Sequence, residues 1–229
     1  MRLAAPSAIR NVLLILAAIA ALSPPVHAQG MSIVDTNKPL KYVMPEPPQP
    51  WSYSISGALY VLSDQDDLFQ PTLRADCRRL HLEARYNYED RESVSIFFGT
   101  NLETGGDALA LSVTPMLGAV VGRTAGVIPG LELSLAWKGL EAYGESEYVL
   151  VSGGDGEDYF YMWSELGLWA TDWLRAGGAA QRTRVHHADR DVQPGLLVGA
   201  RRARVDGTVY LFSPGGDDAY TVVSVAVSF

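Results

Sequence analysis

From Trp51 to the C-terminus, apolar side chains recur at every second position in runs of about ten residues, separated by short turn signals. That period is the signature of strands with one face unlike the other, and it leaves no room for a convincing helix. The clearest run is Leu80 to Glu89. Leu80, Leu82, Ala84, Tyr86 and Tyr88 share one parity, while His81, Glu83, Arg85, Asn87 and Glu89 share the other. The pattern predicts strands over roughly 51–63, 68–76, 79–89, 94–103, 108–122, 129–138, 141–151, 159–170, 173–185, 192–205, 208–213 and 219–229. This is an all-β chain of about twelve antiparallel strands. Ten is the alternative, because Pro129 to Val151 also reads as one bent strand.

Alternation alone does not say which face is wet. Charge decides, because His81, Glu83, Arg85, Glu132, Glu145, Glu147, Glu165 and Arg175 all fall at mid-strand. In a small soluble barrel such groups face solvent; in a transmembrane barrel they face the lumen and the apolar parity faces lipid. The last strand bears on the choice. Thr221, Val223, Val225, Val227 and Phe229 form one apolar row, opposite the small Ser224, Ala226 and Ser228. In water that row would be an exposed apolar edge and an aggregation hazard.

Here the chain resembles bacterial outer-membrane β-barrels, which typically end in an amphipathic strand with a terminal Phe. The resemblance implies an assembly signal made of Phe229, Val227, Val225 and Val223, with outer-membrane lipids and the barrel assembly machinery as partners. The segments His81 to Glu89 and Phe160 to Leu166 are similar to those of uncharacterised small Gram-negative barrels. That likeness implies an up-and-down transmembrane barrel in the cell outer membrane and no known activity.

The N-terminus agrees. Arg2 and Arg10 precede an apolar stretch from Val12 to Leu22, and Val26-His27-Ala28 reads as a small-residue cleavage site. The stretch is too short to cross a bilayer as a helix, which needs about 20 apolar residues. Residues 1–28 are therefore expected to be a signal peptide cleaved near Ala28. Residues 29–50, with Pro39, Pro45, Pro47, Pro48 and Pro50, are expected to be a periplasmic tail, and 51–229 the barrel. Cleavage removes two of the 18 basic side chains and no acid, leaving 16 against 26 acidic ones, which makes nucleic acid a poor partner. Cys77 is the sole cysteine, so no internal disulfide forms.

Short turns (Asp76 to Arg78, Thr104 to Asp107, Thr171-Asp172, Asp206-Gly207) alternate with longer, acidic connections such as Ser152 to Asp158, His186 to Asp191 and Ser213 to Ala219. Short turns belong on the periplasmic side and long loops outside. The lumen parity collects Gln70, Arg74, His81, Glu83, Arg85, Glu147, Trp163, Glu165, Arg175, Gln181 and Arg201. Arg74, His81, Glu83, Arg85, Glu147, Glu165, Arg175 and Arg201 form its expected charge network, either structural cross-pairing or a path for small polar solutes.

A structural or narrow passive-transport, porin-like role is the leading expectation. The alternative is an outer-membrane hydrolase whose base and orienting acid come from His186, His187, Asp189 and Asp191 at the outer rim. No Ser lies in a nucleophile motif, and no cofactor or metal motif is present. The loop Gly153 to Asp158 lacks the ligand spacing of a calcium loop.

Overall fold

A computed structural model describes residues 51–62, 65–106, 108–152, 157–185, 191–216 and 218–229. The expected signal peptide and tail (1–50), His186, His187 and Asp189, and Gly153 to Gly156 lie outside the described residues.

The chain forms thirteen strand segments: β1 (Ser52–Val61), β2 (Leu68–Cys77), β3 (Leu80–Tyr86), β4 (Ser93–Thr100), β5 (Leu102–Gly106), β6 (Leu109–Gly122), β7 (Gly126–Trp137), β8 (Leu140–Val151), β9 (Tyr159–Trp169), β10 (Leu174–Val185), β11 (Asp191–Arg202), β12 (Val205–Phe212) and β13 (Tyr220–Ser228). Each pairs antiparallel with its neighbours, and β1 closes on β13 from Ser54↔Ser228 to Val61↔Thr221. Segments β4 and β5 lie in one continuous register along β6, from Ser93↔Gly122 to Gly106↔Leu109, and are one stave. The result is a closed antiparallel barrel of twelve staves.

Proline explains the break between β4 and β5. Pro115 falls opposite Thr100 and has no amide hydrogen to donate, so the ladder lapses there. The other strand prolines behave alike. The β2–β3 ladder ends at Thr72, next to Pro71; the β7–β8 ladder skips Ile128 and Pro129; the β11–β12 ladder begins at Gly195, just after Pro194.

Twelve staves, not ten, follow from one turn. Trp137 and Leu140 are paired, and Lys138 and Gly139 between them both take positive φ, 48° and 84°. That is the backbone of a tight two-residue hairpin whose twist matches the strands. A second turn differs from expectation. The β11–β12 hairpin turns at Ala203-Arg204, with Ala203 at φ 50°, and Arg202 pairs with Val205. Asp206 and Gly207 therefore lie inside β12, where Asp206 pairs with Arg201 in register and in charge.

The apolar parity faces out. Ile96, Phe98, Leu117, Val121, Leu166 and Leu196 are all more than half exposed. Aromatic side chains stand outward near both rims, Tyr53, Trp137, Trp173 and Phe229 at the end holding the termini and Phe69, Tyr86 and Tyr148 at the other. Apolar wall, aromatic girdles and charged interior are the arrangement of an outer-membrane barrel, and the inverse of a soluble one. The end where β1 begins and β13 finishes carries only short turns, the feature expected of the periplasmic end of such a barrel.

Candidate functional site: a constriction across the lumen

Strand β3 alternates, so His81, Glu83 and Arg85 all enter the lumen, and their side chains are at most 4% exposed. Strand β8 sends Tyr143, Glu145 and Glu147 inward by the same rule, and β7 sends Glu132. The two groups face each other across the barrel. Arg85 Nη1 lies 2.5 Å from Glu147 Oε1 and 2.9 Å from Glu145 Oε1, while its Nε donates to Glu83 Oε1 at 2.5 Å. Arg74 from β2 reaches Glu132 Oε1 at 2.6 Å and Glu83 Oε2 at 3.0 Å. Glu83 thus sits between two guanidinium groups. Tyr88 and Tyr143 both donate to Glu145 Oε2 at 3.0 Å.

At the centre of this charge layer the Arg85 side chain is 0% exposed. Aromatic rings complete its surroundings. The Arg85 guanidinium lies 4.3 Å from the centre of the Tyr88 ring and 4.4 Å from that of Phe97, within cation–π range. Phe97 belongs to an apolar cluster with Met116, Val120, Ile128 and Val149. On the other wall, Trp163, Tyr210, Phe212 and Val222 pack together, with Tyr60 and Tyr220 against them. Twelve staves enclose more space than eight, whose interiors side chains just fill; here large aromatic and charged side chains occupy part of it and leave cavities between them.

A second ion cluster sits on the aromatic wall. Glu165 accepts from Trp163 Nε1 at 2.9 Å and Tyr210 Oη at 2.6 Å, and Arg175 lies 3.2 Å away. At the periplasmic mouth, Arg201 pairs with Asp206 at 2.9 Å and Glu141 at 3.5 Å and is about half exposed. Three cavities connect these layers. The largest, about 700 Å³, opens at the mouth beside Glu141, Arg175 and Arg201. It shares Tyr143 and Arg175 with one of about 360 Å³ that reaches Tyr88 and Glu145. It shares Glu103 and Ser112 with one of about 180 Å³ beside His81 and Glu132.

The structure brings Arg74, His81, Glu83, Arg85 and Glu147 into one connected layer, places Glu165 and Arg175 in the second cluster, and leaves Arg201 at the mouth. Gln70 donates to the Asn87 carbonyl at 2.8 Å, and Gln181 accepts from Tyr220 at 2.9 Å. Expectation fails at Tyr88, which points inward and not to lipid. Asn87 takes a positive φ of 58°, so β3 ends at Tyr86 and the alternation stops, with Tyr88 and Glu89 both turned inward. The expected network also lacked Glu145, Glu132, Asp76 and Glu89. The first two share the parity of Glu147 or its neighbours and were within reach of the alternation argument.

His81 Nδ1 lies 2.8 Å from Asp76, and the ligand atoms of His81, Glu83 and Glu132 fall within 4.8 Å of one another, a donor set suited to a divalent metal. Arg74 already bonds to both glutamates, so a tethered cation neutralises that set. Asp191 opens β11 at the outer rim, and its expected partners His186, His187 and Asp189 lie outside the described residues.

No family model matches the chain, and no curated protein does. Among solved structures, the KdgM porin aligns with 77% of this chain and 99% of its own, at 11% identity and a TM-score of 0.53. The same porin in complex with disordered oligogalacturonate gives the same figures. Omp33, an outer membrane protein of Acinetobacter baumannii, aligns over 78% of this chain at 10% identity and a TM-score of 0.45. The chain has the fold of an outer-membrane β-barrel.

Proposed function

We propose that this protein is a narrow, porin-like passive-transport barrel whose constriction is the Arg85 layer and which prefers small cationic solutes. One observation carries the reading: connected polar cavities run from the periplasmic mouth to the underside of Arg85, and acid predominates along them. Among the described residues, the lumenal ion pairs join nine carboxylates to four arginines and one histidine. Fixed negative charge in a low-dielectric channel concentrates cations and repels anions. The KdgM porin has been seen with oligogalacturonate, a polyanion. The acid excess here disfavours such a solute.

Residues 1–28 direct export and are removed near Ala28, 29–50 remain as a periplasmic tail, and Phe229, Val227, Val225 and Val223 address the chain to the assembly machinery. The residues of the hydrolase alternative, His186, His187 and Asp189, lie outside the described residues.

Refolded protein in a planar bilayer tests the transport reading. The expected record is small current steps with a reversal potential favouring potassium over chloride, and larger steps in Arg85→Ala. Silence from both proteins would falsify it.

A further inference from the structure

The outer wall is hollowed where β2 and β3 run between β4 on one side and β1 on the other. Ala75 pairs with Leu82 and Leu73 with Ala84, so both rungs of the β2–β3 ladder carry an alanine on the lipid face. Ala75, Leu82 and Ala84 are half-buried and form a floor. Phe98 rises from β4 at 63% exposed, and Tyr53 and Phe229 rise on the opposite flank at 51% and 60%. The groove between the flanks has a volume of about 530 Å³ and lies in the half of the wall where β1 begins.

Below the groove the wall ends in two cations. The β2–β3 hairpin turns at Arg78-Arg79, between the paired Cys77 and Leu80, and both arginines are exposed. Among the described residues neither has an ion-pair partner. Asp76, the nearest carboxylate in sequence, faces the lumen and lies 2.8 Å from His81 Nδ1 and 2.7 Å from Asn101 Nδ2. From Ala75 to Arg78 is three residues, about 10 Å of strand. The polar layer beside a bilayer's hydrocarbon core is about 5–8 Å deep on each side. With the groove in hydrocarbon, the two guanidinium groups therefore stand at head-group depth.

One hairpin thus presents an apolar bed on its strands and paired positive charge on its turn. A molecule with an acyl chain and a phosphate satisfies both at once. A second copy does not. A two-fold dimer through this groove would set two arginine pairs at the same height, facing each other, and like charges oppose that.

We propose that this groove and the Arg78-Arg79 turn form a binding site for one anionic phospholipid of the periplasmic leaflet. An acyl chain lies over Ala75 and Ala84, and the phosphate is held by the two arginines. The site is on the outside of the barrel and does not rest on the transport reading.

The probes are dimyristoyl phosphatidylglycerol and dimyristoyl phosphatidylcholine, added in equal amounts to the folded barrel in nonionic detergent. Native mass spectrometry reads the lipid retained. One phosphatidylglycerol per barrel should stay bound, preferred about tenfold or more over phosphatidylcholine. Arg78→Gly with Arg79→Ser should abolish that preference. Glycine suits the positive φ of 55° at position 78, so the turn itself is kept. Ala84→Leu fills the floor, leaves every charge in place, and should release both lipids. If that variant does not fold, the turn variant decides alone. No retained lipid, equal retention of the two, or a preference unchanged in the turn variant overturns the site. So does phosphatidylglycerol held equally well by Ala84→Leu, or a dimer in which protein takes the place of lipid.

Discussion

Arg85 on β3 and Glu147 on β8 meet Nη1 to Oε1 at 2.5 Å, although their strands share no ladder and no common neighbour. The contact joins walls four staves apart in the barrel of twelve, and neither side chain is more than 1% exposed. The pair narrows the lumen at mid-height with buried ions that depend on one another for neutralisation.

Removing Arg85 therefore strands several buried carboxylates at once. Arg85→Ala should lower stability by about 3–5 kcal/mol in urea unfolding of the detergent-folded barrel. Arg201→Ala is the control. Its side chain is 47% exposed at the mouth, and its loss should cost no more than about 1 kcal/mol. Equal effects would mean that burial does not govern the network.

Phe97 and Gly118 face each other across the β4–β6 ladder, and a Cβ built on Gly118 would lie 2.4 Å from the Phe97 ring. Phe97 is fully buried and cannot swing away. Gly118→Ala should destabilise the barrel by about 1–3 kcal/mol through overpacking. It should also enlarge the current steps if the displaced ring loosens its hold on Arg85. Unfolding curves superimposable on wild type would show that the ring has room to move.

On the outer wall, Leu82 stands between Ala75 and Phe98 in the ladders. Leu82→Arg should cost about 2–4 kcal/mol at mid-bilayer and reduce the folded, heat-modifiable form in membranes. Leu82→Cys should resist water-soluble thiol reagents in the intact barrel. Fast labelling there would place Leu82 in the lumen and reverse the wall.

Phe229 donates its amide to the Tyr53 carbonyl at 2.8 Å, while its side chain is 60% exposed on the outer wall. So little packing depends on the ring that Phe229→Ala should refold in detergent as well as wild type. In cells the same variant should accumulate poorly in the outer membrane if the terminal strand is an assembly address. Wild-type levels in cells would remove that role.

The staves were legible in the sequence because the two faces differ so sharply in polarity: wherever Leu80-His81-Leu82-Glu83 alternates, geometry has no second solution. Boundaries were harder where a turn hides inside the alternation. Trp137-Lys138-Gly139-Leu140 carries the apolar pattern straight through a hairpin, and Asp206-Gly207 has turn composition yet lies within β12, where Asp206 is held by Arg201. Tyr88 misled for a different reason, since one left-handed residue, Asn87, ends the alternation and leaves no mark on hydropathy. The charge layer was legible as a set of inward residues but not as pairs. Which guanidinium meets which carboxylate depends on barrel circumference and stagger, and Arg85 and Glu147 are 62 residues apart.

The prolines divide the wall into unequal parts. Pro71, Pro129 and Pro194 are each the fourth residue of their strand from its outer end, and Pro115 lies near the middle of β6. In lipid, a ladder lapse leaves backbone groups without the lacing that seals the rest of the wall. The periplasmic half is thus a tightly hooped cup, whereas the outer rim is seamed in three places. Amide hydrogens along those seams should exchange first, and any widening that lets a solute past Arg85 begins from the outer edge and not from the base.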